Sequence, residues 1–145
     1  MVRVAVLGAG PTGVEAALAA QEQGWDVTLY EQGPRVAQSV RDWGHVRLFT
    51  PWSMSVPPSR VAALADPDVC PSGDALADHL ERLAAGLSDV RLSTRVETVA
   101  REGLLKSEEI GSDERGRRPF RLLVRGPDGA ERFDAADVVL DCTGT

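Results

Sequence analysis

Cysteine is nearly absent from this chain: its 145 residues include two, Cys70 and Cys142, with no Cys-x-x-Cys pair. A disulfide framework, a zinc knuckle and a redox-active dithiol are therefore not expected, and a reducing, cytoplasmic compartment is. Histidine is equally scarce, with only His45 and His79, so no metal site is expected. Positive charge is in deficit, with 16 Lys+Arg against 22 Asp+Glu for a formal net charge of −6, and the basic residues between Arg101 and Arg132 are interleaved with acidic ones. Neutralisation of phosphates by Lys and Arg dominates binding to nucleic acid and to anionic membranes, so neither is an expected partner. Long apolar runs are lacking too. Val2 to Ala20 is largely apolar, but Gly8, Gly10, Gly13 and Glu15 interrupt it. It is not read as a signal peptide, and it falls short of the roughly 18 apolar residues of a membrane span.

What is present is a strand–turn–helix–strand rhythm. Val2 to Leu7 is a β-branched apolar run bounded by glycine, the pattern of a strand buried on both faces. From Thr12 to Gln23, Val14, Ala17, Leu18 and Gln21 recur at helical spacing until Gly24, and Asp26 to Tyr30 reads as a second strand. This is a right-handed parallel βαβ unit. Six prolines between Gln32 and Pro71, that last one included, confine the segment to loops and short helices. Ser72 and Asp74 suit the start of a helix to about Ala85 with Leu76, Leu80, Leu83 and Leu87 on one face, and Val90 to Leu92 is a brief third strand. Val96 to Ala100, Phe120 to Arg125 and Glu131 to Phe133 then read as three antiparallel strands, the last two joined by the hairpin signal Pro127-Asp128-Gly129. Asp137 to Asp141 returns as a buried strand. The expected class is α/β: a Rossmann-like parallel sheet whose crossover is a three-stranded β-meander.

Gly8-Ala9-Gly10-Pro11-Thr12-Gly13 is a G-x-G-x-x-G placed after a predicted strand and opening a predicted helix. Gly8 permits the tight turn, Gly10 a close backbone approach to a pyrophosphate, and Gly13 close helix–strand packing. Pro11 and Thr12, where the glycine turn opens the helix, join the candidate cofactor-binding set, the free N–H groups and positive dipole end of that helix facing the phosphates. Glu31 ends the second strand 23 residues after Gly8, where a carboxylate accepts hydrogen bonds from both hydroxyls of an adenosine ribose. Its negative charge disfavours a 2′-phosphate, so FAD or NAD is expected before NADP. Gln32, which follows it, joins the candidate cofactor-binding set. Arg35 and Arg41 are candidates to reach the pyrophosphate.

The series Gly8, Gly10, Gly13, Ala17, Gly24, Val27, Glu31 resembles the extended dinucleotide motif of the FAD-binding domain in two-dinucleotide-binding-domain flavoproteins. That resemblance implies backbone contacts to adenine at Val96 and a close pass of Thr143-Gly144 by the ADP moiety. The stretch Trp43-Gly44-His45-Val46-Arg47-Leu48-Phe49-Thr50-Pro51 is similar to one in bacterial flavin-containing-monooxygenase-like proteins, where it lies beside the flavin ring. Trp43, Arg47 and Leu48 are accordingly implied as cofactor-binding, against the plainer alternative of a packed loop covering a sheet edge. Two departures stand out: Ala37-Gln38 replaces the Gly-Gly that many members carry, and Phe49 replaces an Asn used beside the flavin.

The resemblance implies residues 1–145 as an FAD-binding domain forming the N-terminal portion of a longer flavin-dependent, NAD(P)H-linked oxidoreductase, monooxygenase-like in type. FAD is the implied cofactor. NAD(P)H is the implied electron donor through a domain not in this sequence, and a small molecule is the substrate. The C-terminal part or partner chain that completes the flavin site is also not in it, so this chain alone is not expected to be catalytically complete. Homo-oligomerisation stays open, and no catalytic residue is assigned. His79 reads as a helical surface residue, His45 as a weak loop candidate and Cys142 as packing. The alternatives are an NAD-binding dehydrogenase module without flavin, and a non-catalytic nucleotide-binding or regulatory module.

Overall fold

The computed structural model describes residues 1–144; Thr145, the last residue of the expected domain, lies outside the described residues. In chain order the elements are β1 (Arg3–Leu7), α1 (Pro11–Glu22), β2 (Asp26–Tyr30), α2 (Gln38–Arg41), α3 (Trp52–Ser55), α4 (Pro58–Val61), α5 (Gly73–Ala84), β3 (Val90–Arg91), β4 (Arg95–Arg101), α6 (Asp113–Arg117), β5 (Phe120–Arg125), β6 (Glu131–Ala136) and β7 (Val138–Asp141). A four-stranded sheet has the order β3-β2-β1-β7 and a three-stranded sheet the order β4-β5-β6. β1 pairs in parallel with β2 and β7, and β2 with β3, whereas β4, β5 and β6 are antiparallel. This is the expected α/β class with its meander crossover.

The period-2 alternation of β1 and β2 sorts their side chains between two cores. Val4, Val6, Val27 and Leu29 face α1 and α5, packing with Val14, Ala17, Leu76, Ala77 and Leu80. Ala5, Leu7 and Tyr30 face the meander, packing with Leu122, Val124 and Ala136. Both faces of β1 are thus covered, which is why it reads as continuous apolar sequence.

The α5 face differs from its expectation. Leu76, Ala77, Leu80 and Ala84 are buried while Leu83 and Leu87 are half-buried, because the small alanines let the helix sit close to its neighbours. Ser72 Oγ accepts from the Ala75 N–H at 3.1 Å, the N-cap bond its residue type favours. Ser72→Ala is expected to lower unfolding stability by about 1 kcal/mol without changing the fold, measured by urea denaturation.

The meander strands run longer than their apolar cores suggested. β6 pairs with β5 from Arg125↔Glu131 to Phe120↔Ala136, so ladder hydrogen bonds carry it past Phe133. Asp137 is the hinge between the sheets and not the first residue of β7. Its N–H donates to the Arg3 carbonyl, and its carboxylate accepts from Arg3 Nε, Nη2 and backbone N–H at 2.8–3.1 Å. Those bonds hold the Asp137 carboxyl down at about 2. Between Gln32 and Pro71 the three short helices are pinned by a few apolar anchors, Val36, Ala37, Val40, Leu48 and Trp52, set against the helix-side core.

Candidate nucleotide site

The register Leu7↔Tyr30 and Leu7↔Asp141 brings the carboxyl ends of β1, β2 and β7 to one edge of the sheet. Three loops therefore leave side by side, at the position where open α/β sheets bind ligands. Gly8 follows β1 with φ +94°, a conformation that suits glycine, and its N–H donates to the Tyr30 carbonyl at 2.8 Å. A Cβ there would come within 2.8 Å of the Cys142 carbonyl oxygen. At Gly13 a Cβ would fall on the Gly8 carbonyl oxygen, so α1 packs directly on the turn. Gly10 has nothing within 4 Å of where its Cβ would be, and as N-cap of α1 it supplies no side-chain bond to the first helical N–H groups. The turn is closed at Gly8 and Gly13 and open at Gly10.

Glu31 is buried, at 9% exposure. Its Oε2 accepts from the Ala9 N–H at 2.9 Å and its Oε1 from the Gly33 N–H at 2.7 Å, so this one carboxylate ties the glycine turn to the loop after β2. An ionised carboxylate offers about four lone-pair sites, which leaves acceptor capacity for ribose hydroxyls.

A cavity of about 570 Å³ opens over these groups. Of the residues singled out by sequence, Gly8, Glu31, Gln32, Val96 and Thr143 line it, drawn from the ends of β1 and β2, from β4 and from the segment after β7. Val96 stands beside a register shift between Val96 and Thr98, a bulge that re-aims the strand at the cavity. Thr143 is set by its N–H and Oγ1, which both donate to Asp141 Oδ1. Sequence reasoning missed Tyr30, Gln38, Asp42, Thr94 and Arg95, which also line it. The strand pattern marked Tyr30 only as the end of the second strand; nothing in it told which of two layers the ring enters.

The other candidates lie elsewhere. Pro11 and Thr12 border a separate apolar groove of about 500 Å³ with Met54, Val56 and Leu80. Gly144, at φ +81°, is exposed beyond the cavity wall. Arg35 grips Glu81 of α5 at 2.8 and 3.3 Å, and Arg41 bonds Asp78 and Glu81, so neither guanidinium lines the cavity, contrary to the expected reach toward a pyrophosphate. Their opposite charges attract them to the acidic face of α5 instead.

The Trp43–Pro51 stretch is strapped to the segment entering α5. Gly73 N–H donates to the Val46 carbonyl and Leu48 N–H to the Pro71 carbonyl, both at 2.8 Å. Arg47 Nη1 donates to the Cys70 carbonyl, Leu48 packs on the core, and a Cβ at Gly73 would meet the Trp43 ring at 2.8 Å. Trp43, Arg47 and Leu48 therefore hold the strap and do not line the cavity, while Phe49 at its tip is fully exposed.

His79 stands edge-on to Trp52 with ring centroids 5.2 Å apart, and its buried Nε2 has no partner among the described residues. Burial, then the Arg82 charge, lowers its pKa. Cys142 packs on the helix-side core next to Gly13, and burial pushes its thiol up. No helix is long and apolar enough to cross a membrane among the described residues.

Comparison with known proteins agrees with this geometry. Residues 3–66 match the family model described as FAD dependent oxidoreductase. No curated protein sequence matches the chain. Solved structures match over 99% of it: a bacillithiol disulfide reductase from Bacillus cereus at 21% identity and TM-score 0.75, and a flavin-containing monooxygenase from Stenotrophomonas maltophilia at 23% and 0.74. An S-allyl-L-cysteine S-oxygenase from Allium sativum matches at 19% and 0.74. The chain spans 40%, 38% and 36% of these three proteins respectively. At such identities the likeness is one of fold. The chain thus has a Rossmann-like fold shared with these proteins, and its residues 3–66 match the model of the FAD dependent oxidoreductase family.

Proposed function

We propose that this chain is the FAD-binding portion of an NAD(P)H-linked flavin-dependent oxidoreductase of the monooxygenase-like type. The observation that carries the reading is the single cavity in which Gly8, Glu31, Gln32, Val96 and Thr143 converge from four separate segments. The cavity and the turn beside it fit an adenine dinucleotide: the wall holds a buried carboxylate with lone pairs to spare, and the adjoining turn offers an open backbone at Gly10 and uncapped N–H groups at the start of α1. A bound flavin supplies hydride acceptance from a nicotinamide and electron delivery to oxygen or another acceptor. The chain's own share is to hold and orient the ADP half. The meander in place of a helical crossover favours this reading over a plain NAD-binding module, and the names of two of the matched proteins support an oxygenase type.

Titration of the purified chain with FAD, followed by quenching of flavin fluorescence, tests the assignment. FAD binding is expected, with ADP competing for the site and FMN, which lacks adenosine, failing to do so. Binding of NAD without FAD, or of FMN as well as FAD, would overturn it.

A further inference from the structure

We propose that Asp42 is an affinity-setting residue of the nucleotide cavity, weakening its hold on the flavin nucleotide a few-fold. The inference rests on the reading that this cavity takes FAD. It starts from the charges on the wall. Among the described residues lining the cavity, two carboxylates, Glu31 and Asp42, stand against one guanidinium, Arg95. Arg95 is largely exposed and leans on Glu97 at 3.5 Å, so part of its charge is answered outside the cavity. Arg35 and Arg41, the arginines nearest in sequence to Glu31, are committed to Asp78 and Glu81 on α5. The doubly anionic pyrophosphate of a dinucleotide is therefore met by a wall of net negative charge. The N-terminus of α1 follows the Gly8 turn and, equivalent to about half a unit charge, offsets that wall only in part.

Asp42 is fixed in this position. Gln38 Nε2 donates to Asp42 Oδ1 at 3.1 Å, and the Asp42 N–H donates to the Gln38 carbonyl at 3.1 Å. Gln38 is itself set from two sides. Its Cβ and Cγ lie 2.6 and 2.8 Å from where a Cβ on Gly33 would stand, and the preceding Ala37 takes φ +57° while its N–H donates to the Ala9 carbonyl at 2.9 Å. A side chain thus occupies the wall at Gln38, the position where the resembled motif has glycine, and it presents a carboxylate. Because the cavity is open to water, screening keeps the repulsion modest, and the effect on affinity is a few-fold.

The test uses the full chain as wild type, Asp42→Asn, Asp42→Glu and Gln38→Ala, with FAD and separately ADP titrated at about 20 mM and about 500 mM NaCl. Asp42→Asn is expected to bind both nucleotides about fivefold more tightly at low salt, and its advantage is expected to shrink below about twofold at high salt. Asp42→Glu, which keeps the charge, should bind as wild type does, and Gln38→Ala, which frees the carboxylate to turn toward water, should fall between. Equal affinity of wild type and Asp42→Asn overturns the proposal, as does a gain that persists undiminished at high salt. If no variant binds FAD, the reading of the cavity falls and this inference falls with it. If all bind FAD alike, the inference alone is lost.

Discussion

Gly13→Ala is expected to cost at least about 3 kcal/mol of unfolding stability and to abolish nucleotide binding, because the new methyl group would overlap the Gly8 carbonyl oxygen. Two effects compete at this position. Gly13 lies inside α1 and its φ is not in the left-handed region, so alanine gains about 1 kcal/mol in helix propensity. The clash opposes that gain and wins, since the atom in the way is backbone, fixed by the Gly8 N–H bond to Tyr30, and behind it stands the Cys142 side chain. Neither can yield without moving α1 off β1 and opening the helix-side core around Val14 and Ala17. Gly10→Ala is the informative contrast. Nothing lies within 4 Å of the new Cβ, so stability should stay within about 0.5 kcal/mol of wild type while FAD affinity drops, the methyl group standing where the pyrophosphate approaches. Urea denaturation of the two variants, read beside FAD titration, separates the roles. A Gly13→Ala protein as stable as wild type would show that α1 does not rest on the turn as described.

The same contrast explains what could be read from sequence. Local patterns with a strict steric or periodic cause were legible: the turn glycines, β1 and β2, the Ser72 cap and the Asp128-Gly129 hairpin. Glu31 was legible because a fixed spacing from Gly8 places it at the end of the neighbouring strand. What was not legible depended on which of several partners a long side chain chooses. Arg35 and Arg41 follow Glu31 in sequence, yet the acidic residues of α5, about forty positions away, hold them more closely than the open cavity does. Trp43 was marked by its type but not by its neighbour, since only the fold brings Gly73 under the ring. Tyr30, Thr94 and Arg95 carry no motif at all; Tyr30 ends β2 at the cavity, and the Thr94 N–H bond to the Glu31 carbonyl brings the start of β4 beside it.

Glu31 joins those two levels, and its substitution should have an effect on the scale of Gly13→Ala. Its side chain accepts from two backbone N–H groups, one of them on Ala9, which is fully buried. Glu31→Ala removes both acceptors at once. A buried donor left unmade costs about 1–3 kcal/mol, so the variant is expected to lose about 3 kcal/mol and to bind no FAD that titration can detect. Glu31→Gln keeps the size and one oxygen, but its amide –NH₂ must face one of the two N–H donors. That variant is expected to lose about 1–2 kcal/mol, with FAD affinity lowered on the order of tenfold because an amide offers fewer lone pairs to the ribose hydroxyls. The order of the effects carries the argument. If the carboxylate served only the fold, stability would fall along the series while the FAD affinity of the folded fraction stayed at the wild-type value. If it served only the ligand, both variants would unfold at the wild-type urea midpoint. A loss in both measurements, larger for Ala than for Gln, is the result that follows from one buried carboxylate holding the glycine turn in place while keeping free lone pairs turned toward the cavity.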